Sequence, residues 1–190
     1  MEPSFPRLET DHLTLRLGEE GDVTKILSYF IDNQQRFAPT SPRPAKEALT
    51  LPYWLARVTQ SQDEFCADQS VRLFIFDKSE KSILGTASFT QITRHALQAC
   101  YLGYGIDAGS EGKGLMFEAL TRACSYVFQE MNLHRIMANH LPENIRSQNL
   151  LKRLGFQQEG VAKSYLLLDG KWQDHVLNSL INQNWISAEN

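Results

Sequence analysis

The run Gly105-Ile106-Asp107-Ala108-Gly109-Ser110-Glu111-Gly112-Lys113-Gly114 is the first place where residue types and spacing suggest chemistry. It joins a strand-like segment to the start of a strongly periodic helix. At such a junction unpaired backbone N–H groups and the positive end of the helix dipole converge on one point, and such a point holds a phosphate. The glycines let an anionic oxygen approach the amides, and Lys113 adds a point charge beside them. A glycine-rich loop is often only a loop, so its context has to decide. Two other phosphate motifs fail on inspection. The P-loop needs Gly five residues before Gly112 and Ser or Thr after Lys113, but Asp107 and Gly114 stand there, which argues against a nucleotide triphosphatase. Gly103-Tyr104-Gly105-Ile106-Asp107-Ala108 satisfies the dinucleotide pattern formally, yet it lies within a strand and not at a strand-to-helix turn. His134 and His140 lack the i, i+4 spacing of a helical metal pair and read as structural, so no metal is expected.

The elements that must position this loop follow from hydrophobic periodicity. Leu13, Leu15 and Leu17 alternate with His12, Thr14 and Arg16, the period of a half-buried strand. After a turn at Gly18 to Asp22, Val23, Ile26, Leu27, Phe30 and Ile31 recur at helical spacing as far as the polar run Asp32 to Arg36. Prolines between Phe37 and Pro44 predict a loop. Ala48, Leu51, Leu55 and Val58 outline a second helix to about Gln62, with Pro52 inside it as an expected kink. Three strands in succession, Val71 to Phe76, Ile83 to Ile92 and Cys100 to Ile106, imply an antiparallel meander. Beyond Gly114, Met116, Leu120, Ala123, Val127 and Met131 define the clearest helix of the chain. Arg135 to Leu141 reads as a strand and Ile145 to Leu154 as a helix stopped by Gly155. Val161 to Leu168 and Trp172 to Ile181 read as a hairpin with a type I′ turn at Asp169-Gly170. These elements make a mixed α/β (α+β) chain.

Composition narrows the class. The chain has 190 residues, 42% hydrophobic and 22% charged, which suits one soluble domain with a sizeable core. A net charge of -3 carries no basic excess, so a binder of the nucleic-acid backbone is not expected, while a mildly acidic surface would suit a basic substrate. Cys66, Cys100 and Cys124 are odd in number and lie in apolar contexts, so all three are expected to pack as reduced side chains. The segment Met1 to Asp11 has no apolar run for a signal peptide or membrane span, and a cytoplasmic location follows as an expectation.

Three ordered blocks then carry a resemblance. Leu102-Gly103-Tyr104 followed by Glu111-Gly112-Lys113-Gly114-Leu115-Met116-Phe117-Glu118-Ala119-Leu120 is the first, and His134-Arg135-Ile136-Met137-Ala138-Asn139 the second. The third comprises Asn144-Ile145-Arg146-Ser147, Leu150 to Phe156, Glu159-Gly160 and the hairpin Leu167 to His175. Together they resemble the GNAT acetyltransferase superfamily, in particular its branch of ribosomal-protein-alanine acetyltransferases. The likeness runs from about Leu8 to Trp185 and implies a single N-acetyltransferase domain over residues 1–190 with its core at about 8–185. It also implies the GNAT fold, a mostly antiparallel sheet of about seven strands with a splay between two central ones, flanked by helices. The superfamily loop usually begins with Gln or Arg and ends in Gly or Ala, where this chain has Glu111 and Met116. A carboxylate beside a pyrophosphate is unfavourable unless the Glu111 side chain points to solvent while its backbone N–H binds.

The resemblance implies acetyl-CoA as co-substrate, an amine as acceptor and no metal. Tyr104, Gly105 and Ile106 would present backbone amides to the pantetheine arm and the acetyl oxygen, and Glu111, Gly112, Lys113, Gly114, Leu115 and Met116 would take the pyrophosphate. Asn144 would bond the pantetheine arm, Ser147 would protonate the departing thiolate, and Glu159 would act as base through water. Tyr104, Trp172 and Asp174 would form the acceptor pocket, Asp174 attracting a cationic amine. Each has a plainer alternative: Asn144 and Ser147 are ordinary helix-start residues, Glu159 could be a solvated strand-end carboxylate, and hairpin positions alternate faces. Three functions fit this reading. One is acetylation of a protein amino terminus, most directly a ribosomal protein, with possible association with the ribosome; the others are acetylation of a polyamine or aminoglycoside, and a non-catalytic ribosome-assembly role that retains coenzyme binding.

Overall fold

The first strands pair along the chain by successive reversals, because each alternating segment can bury one face only against a neighbour. A computed structural model describes residues 4–40 and 46–186. Within them the strands are β1 (Arg7–Glu9), β2 (Leu13–Arg16), β3 (Val71–Asp77), β4 (Ile83–Thr93), β5 (Ala99–Ile106), β6 (Arg135–His140), β7 (Gln157–Leu168) and β8 (Lys171–Ile181). They form one eight-stranded sheet in the order β1-β2-β3-β4-β5-β6-β8-β7. Every pairing is antiparallel except β5 with β6. The helices are α1 (Val23–Phe37), α2 (Leu51–Cys66), α3 (Leu115–Gln129) and α4 (Ile145–Arg153). Among the described residues no helix is long and apolar enough to cross a membrane.

Two apolar cores lie on the sheet. One packs Met116, Leu120, Ala123 and Val127 of α3, with Leu151 of α4, against Cys100, Leu102, Ile136 and Ala138. The other packs Ile26 and Tyr29 of α1 and Trp54 and Val58 of α2 against Phe74 and Phe76 of β3. Strand β3 is buried on both faces along Leu73 to Phe76, which is why its sequence is a continuous apolar run instead of an alternating one.

The expected elements form, with a few differences of detail. An eighth strand, β1, adds to the expected seven; it has three residues with a single apolar side chain, Leu8, between two charges, too short to show a period. Pro52 does not kink α2, because it stands in the first turn, where no intrahelical partner is needed for its nitrogen. Helix α1 runs through Phe37, one residue past the polar stretch expected to end it. Cys66 is exposed at the end of α2, while Cys100 and Cys124 are buried and all three are free thiols. The proline loop predicted up to Pro44 lies outside the described residues from 41 to 45, as do residues 1–3 of the amino-terminal segment. The turn chemistry is as expected: Asp169 and Gly170 both have positive φ, at 46° and 77°, and Gly155 ends α4 at φ 90°.

Candidate active site

Strands β5 and β6 pair over three positions only, Ala99 with Arg135, Cys100 with Ile136 and Tyr101 with Met137. Beyond Tyr101 they part. From Leu102 to Ile106, strand β5 keeps its pairing with β4 on one edge, and on the other its alternate N–H and C=O groups face a gap. This is the predicted splay, and it offers strand-like hydrogen bonding to an extended amide-bearing chain.

Successive residues of β5 face opposite sides of the sheet. Cys100 and Leu102 join the α3 core, so Tyr104 points to the same side. There its hydroxyl meets Ser147 Oγ at 2.6 Å. Burial pushes the Tyr104 phenol up to about 12, against a smaller downward pull from Ser147, so it holds its proton at neutral pH. Asn144 is the N-cap of α4, its Oδ1 accepting from the Ser147 backbone N–H at 3.1 Å. The cap employs only the oxygen of the amide and holds Ser147 in the first turn, aimed at Tyr104.

Gly112 and Gly114 have φ of 71° and 79°, and Gly114 is the N-cap of α3 with no side-chain cap. The first-turn amides of α3 are therefore left for another acceptor. A Cβ at either glycine would meet nothing within 4 Å, so the left-handed backbone alone demands glycine. Gly114→Ala is expected to cost about 1 kcal/mol, lower Tm by about 2–4 °C and weaken binding of coenzyme A, as thermal unfolding and calorimetric titration would show. An unpaired strand edge, open helix amides and the nearby Lys113 fit a phosphate-bearing pantetheine thioester.

The Glu111 side chain is held by two arginines instead of pointing to solvent, the condition under which a carboxylate would suit a pyrophosphate site. Its carboxylate accepts from Arg36 and, at 2.5 Å, from Arg146, and the bond from Arg36 is the main reason its carboxyl lies below the usual range. Glu159 accepts from Arg135 and, at 2.8 Å, from Ser179 Oγ; these two bonds hold it below the usual carboxylate range and therefore ionised. Asp174 accepts from Lys163 Nζ at 2.7 Å and from the Ser164 N–H at 2.9 Å, pinning the β7 bulge where Ser164 has φ 48°. Trp172 pairs with Leu167 near the hairpin tip and is 63% exposed. Neither residue hydrogen-bonds Tyr104 or Ser147, so the structure does not bring the predicted acceptor residues together by contact.

Several residues of the site escaped sequence reasoning. The Asn139 Nδ2 donates to the Tyr165 hydroxyl at 3.3 Å, and burial, then the neighbouring Tyr101, raises the Tyr165 phenol; Tyr101 is the last β5 residue paired with β6. Tyr101 alternates with Cys100 and Leu102, so it lies on the opposite face from Tyr104; that signal was present in the period-2 pattern. The splay thus has hydroxyls on both faces. Burial pushes the Cys100 thiol up to about 12 and the Cys124 thiol higher still, so neither supplies a thiolate nucleophile. Among the described residues no group of three or more His, Cys, Asp or Glu is placed to hold a metal ion. A cavity of about 610 Å³ lined by Phe117, Cys124, Phe128, Arg153 and Leu180 lies elsewhere, beside α3, and contains none of the predicted site residues. The splay, which is an open cleft, is the better candidate because the polar groups converge there.

The chain belongs to the GNAT acetyltransferase family, and it is an acyltransferase: residues 12–157 match the family described as the acetyltransferase (GNAT) domain. It is 44% identical to the ribosomal protein uS5-alanine N-acetyltransferase of Escherichia coli K12 over 94% of its own length and 92% of that protein's. Among solved structures, the ribosomal-protein-S5-alanine acetyltransferase of Vibrio fischeri superposes with a TM-score of 0.92 at 36% identity, covering 96% of this chain and 100% of that one. The RimJ protein of Mycobacterium smegmatis, solved in complex with CoA-disulfide, shares the fold at a TM-score of 0.85 and 23% identity, over 96% of this chain and 89% of that one.

Proposed function

We propose that this enzyme carries the acetyl group of acetyl-CoA to the amino-terminal α-amine of a protein, and that its acceptor is the alanine of ribosomal protein uS5 in the cytoplasm. The observation that carries the reading is the 44% identity to the E. coli enzyme of that name over nearly the whole chain. The splay supports it, since a cofactor arm along β5 would leave its thioester between the two hydroxyl-bearing faces.

Acetyl-CoA, when bound, supplies an acetyl group activated as a thioester. The chain's residues have modest proton work to do. An α-amino group has a pKa of roughly 7.7–8.0, so a sizeable fraction is already neutral near pH 7 and a weak base suffices. Glu159, ionised beside Arg135, takes the proton through water. Tyr104 and Ser147 share a 2.6 Å hydroxyl–hydroxyl bond; with the phenol as donor, the serine proton goes to the leaving sulfur and the phenol's proton can replace it. Backbone amides of Tyr104 to Ile106 and the loop Glu111 to Met116 orient the cofactor, and Asn144 offers its amide nitrogen.

The test is transfer of labelled acetyl from acetyl-CoA to a uS5 amino-terminal peptide, beside an amino-terminally blocked copy and spermidine. Label on the free peptide alone is expected. Label on spermidine alone, or on neither while coenzyme A binds, would overturn the protein-acceptor reading.

A further inference from the structure

The end of β5 is covered differently on its two faces. On one, a Cβ at Gly105 would lie 3.3 Å from the Phe37 ring and 3.8 Å from the Tyr29 hydroxyl, so the last turns of α1 pack there. On the other, Tyr104 reaches Ser147 in the first turn of α4. Glu111 sits in the loop that follows β5, and its Oε1 accepts from Arg36 of α1 while its Oε2 accepts from Arg146 of α4. One carboxylate therefore ties together helices from opposite faces of the sheet, across the end of the strand that borders the open gap.

The hydrogen bonding in this strap is incomplete. Two guanidiniums share one carboxylate, in the loop that leads to the uncapped start of α3. Arg36 Nε is buried without a partner, a donor that Glu111 leaves unused. The Arg146 side chain is 81% exposed, with Glu111 as its ion-pair partner. A pyrophosphate offers more acceptor oxygens and more charge than a carboxylate, in a geometry that suits guanidinium forks.

We infer that Glu111 is an internal stand-in for phosphate: its carboxylate holds Arg36 and Arg146 across the mouth of the cleft and is displaced when the cofactor's pyrophosphate takes those guanidiniums. The inference rests on the reading of the cleft as the acetyl-CoA site. It makes Glu111 a competitor for binding and a promoter of product release, and makes Arg36 and Arg146 cofactor ligands.

The sign of one substitution separates a competitor from a scaffold. Calorimetric titration of coenzyme A into Glu111→Gln is expected to give a Kd about 5–10-fold tighter than wild type, the scale of losing a partly exposed competing ion pair on each arginine. Dephospho-coenzyme A, which keeps the pyrophosphate, should show the same gain, and pantetheine, which carries no phosphate, none. In an Arg146→Ala background the gain should shrink by at least about half. A Kd unchanged or weaker in Glu111→Gln, with thermal unfolding showing the variant folded, would overturn the inference, as would an equal gain for pantetheine. Wild-type protein that binds no coenzyme A would instead remove the site reading on which it stands.

Discussion

Replacing Ser147 with alanine should lower kcat by about 10²-fold while changing KM for acetyl-CoA by no more than about threefold. The loss belongs at the low end of the range for a general acid because the leaving group is a thiol, far more acidic than an alcohol, so an unprotonated departure is tolerable. The gap between variant and wild type should therefore narrow as pH rises toward the pKa of that thiol, where protonating the thiolate matters less. A structural role would not produce that pH dependence. The cap of α4 survives the change, since Asn144 bonds the backbone N–H of residue 147 and not its hydroxyl. Tyr104→Phe removes the 2.6 Å bond but leaves the serine proton, so a smaller fall, about tenfold, is expected. Steady-state kinetics at several pH values with a peptide acceptor would decide. An unchanged kcat in Ser147→Ala would sink the assignment of Ser147 as acid.

The largest stability effect is expected far from the cleft, at Asp22. Arg16 is buried and donates to Asp22 through Nη1 at 2.6 Å and Nη2 at 3.1 Å, to Glu80 through Nε at 2.7 Å and to the Leu17 carbonyl at 3.0 Å. Its guanidinium also lies 4.3 Å from the centre of the Phe76 ring. Asp22→Ala would take from that charge its bidentate, buried partner, at a cost of about 3–5 kcal/mol, the lower end being expected because Glu80 and, at 3.6 Å, Glu19 remain. Urea unfolding followed by circular dichroism measures this directly. An Arg16→Met, Asp22→Leu double variant should lose less than Asp22→Ala alone, since the buried guanidinium is gone while Lys25 and Glu80, which also lose a partner, are partly exposed and keep the Glu80 carbonyl and Arg7 respectively. Burial by itself pushes the Asp22 carboxyl up, but bonds from Arg16, Lys25 and the Glu19 amide outweigh it and the net is below the usual range. A depressed folded-state pKa means stability that is present above the unfolded value of about 3.9 and lost as pH falls through the folded one. The wild-type advantage over Asp22→Ala should shrink below pH about 4. The network also anchors the start of α1, whose far end carries Arg36 and Phe37 to the cleft, so Asp22→Ala should raise KM for acetyl-CoA as well.

Local features were legible in the chain because their causes lie within a few residues. Helix α3 follows from apolar residues at 3.6-residue spacing, the β7–β8 turn from Asp169-Gly170, and the end of α4 from Gly155. The glycine loop before α3 was legible for the same reason: Gly112 and Gly114 are the residues that tolerate φ of 71° and 79° at no steric cost. The ordered motifs also sufficed to place the chain in its family, since they name the fold without deriving it. What they left undecided was which side chains meet. Strand β1 contributes one apolar residue and depends on β2 for its existence. Pro52 is harmless only because α2 begins one residue before it. The Tyr104–Ser147 pair spans 43 residues, Arg146 reaches Glu111 across 35 and Arg36 reaches it across 75. Those contacts depend on strand order, on the parting of β5 and β6 after Tyr101, and on which face each helix covers. Periodicity and turn chemistry are short-range properties of the backbone, and so the sequence by itself determined the elements and the loop; sheet order and facing are collective properties of burial, and only the tertiary structure decided that Glu111 would join two arginines across the cleft and that Glu159 would share its charge with Arg135.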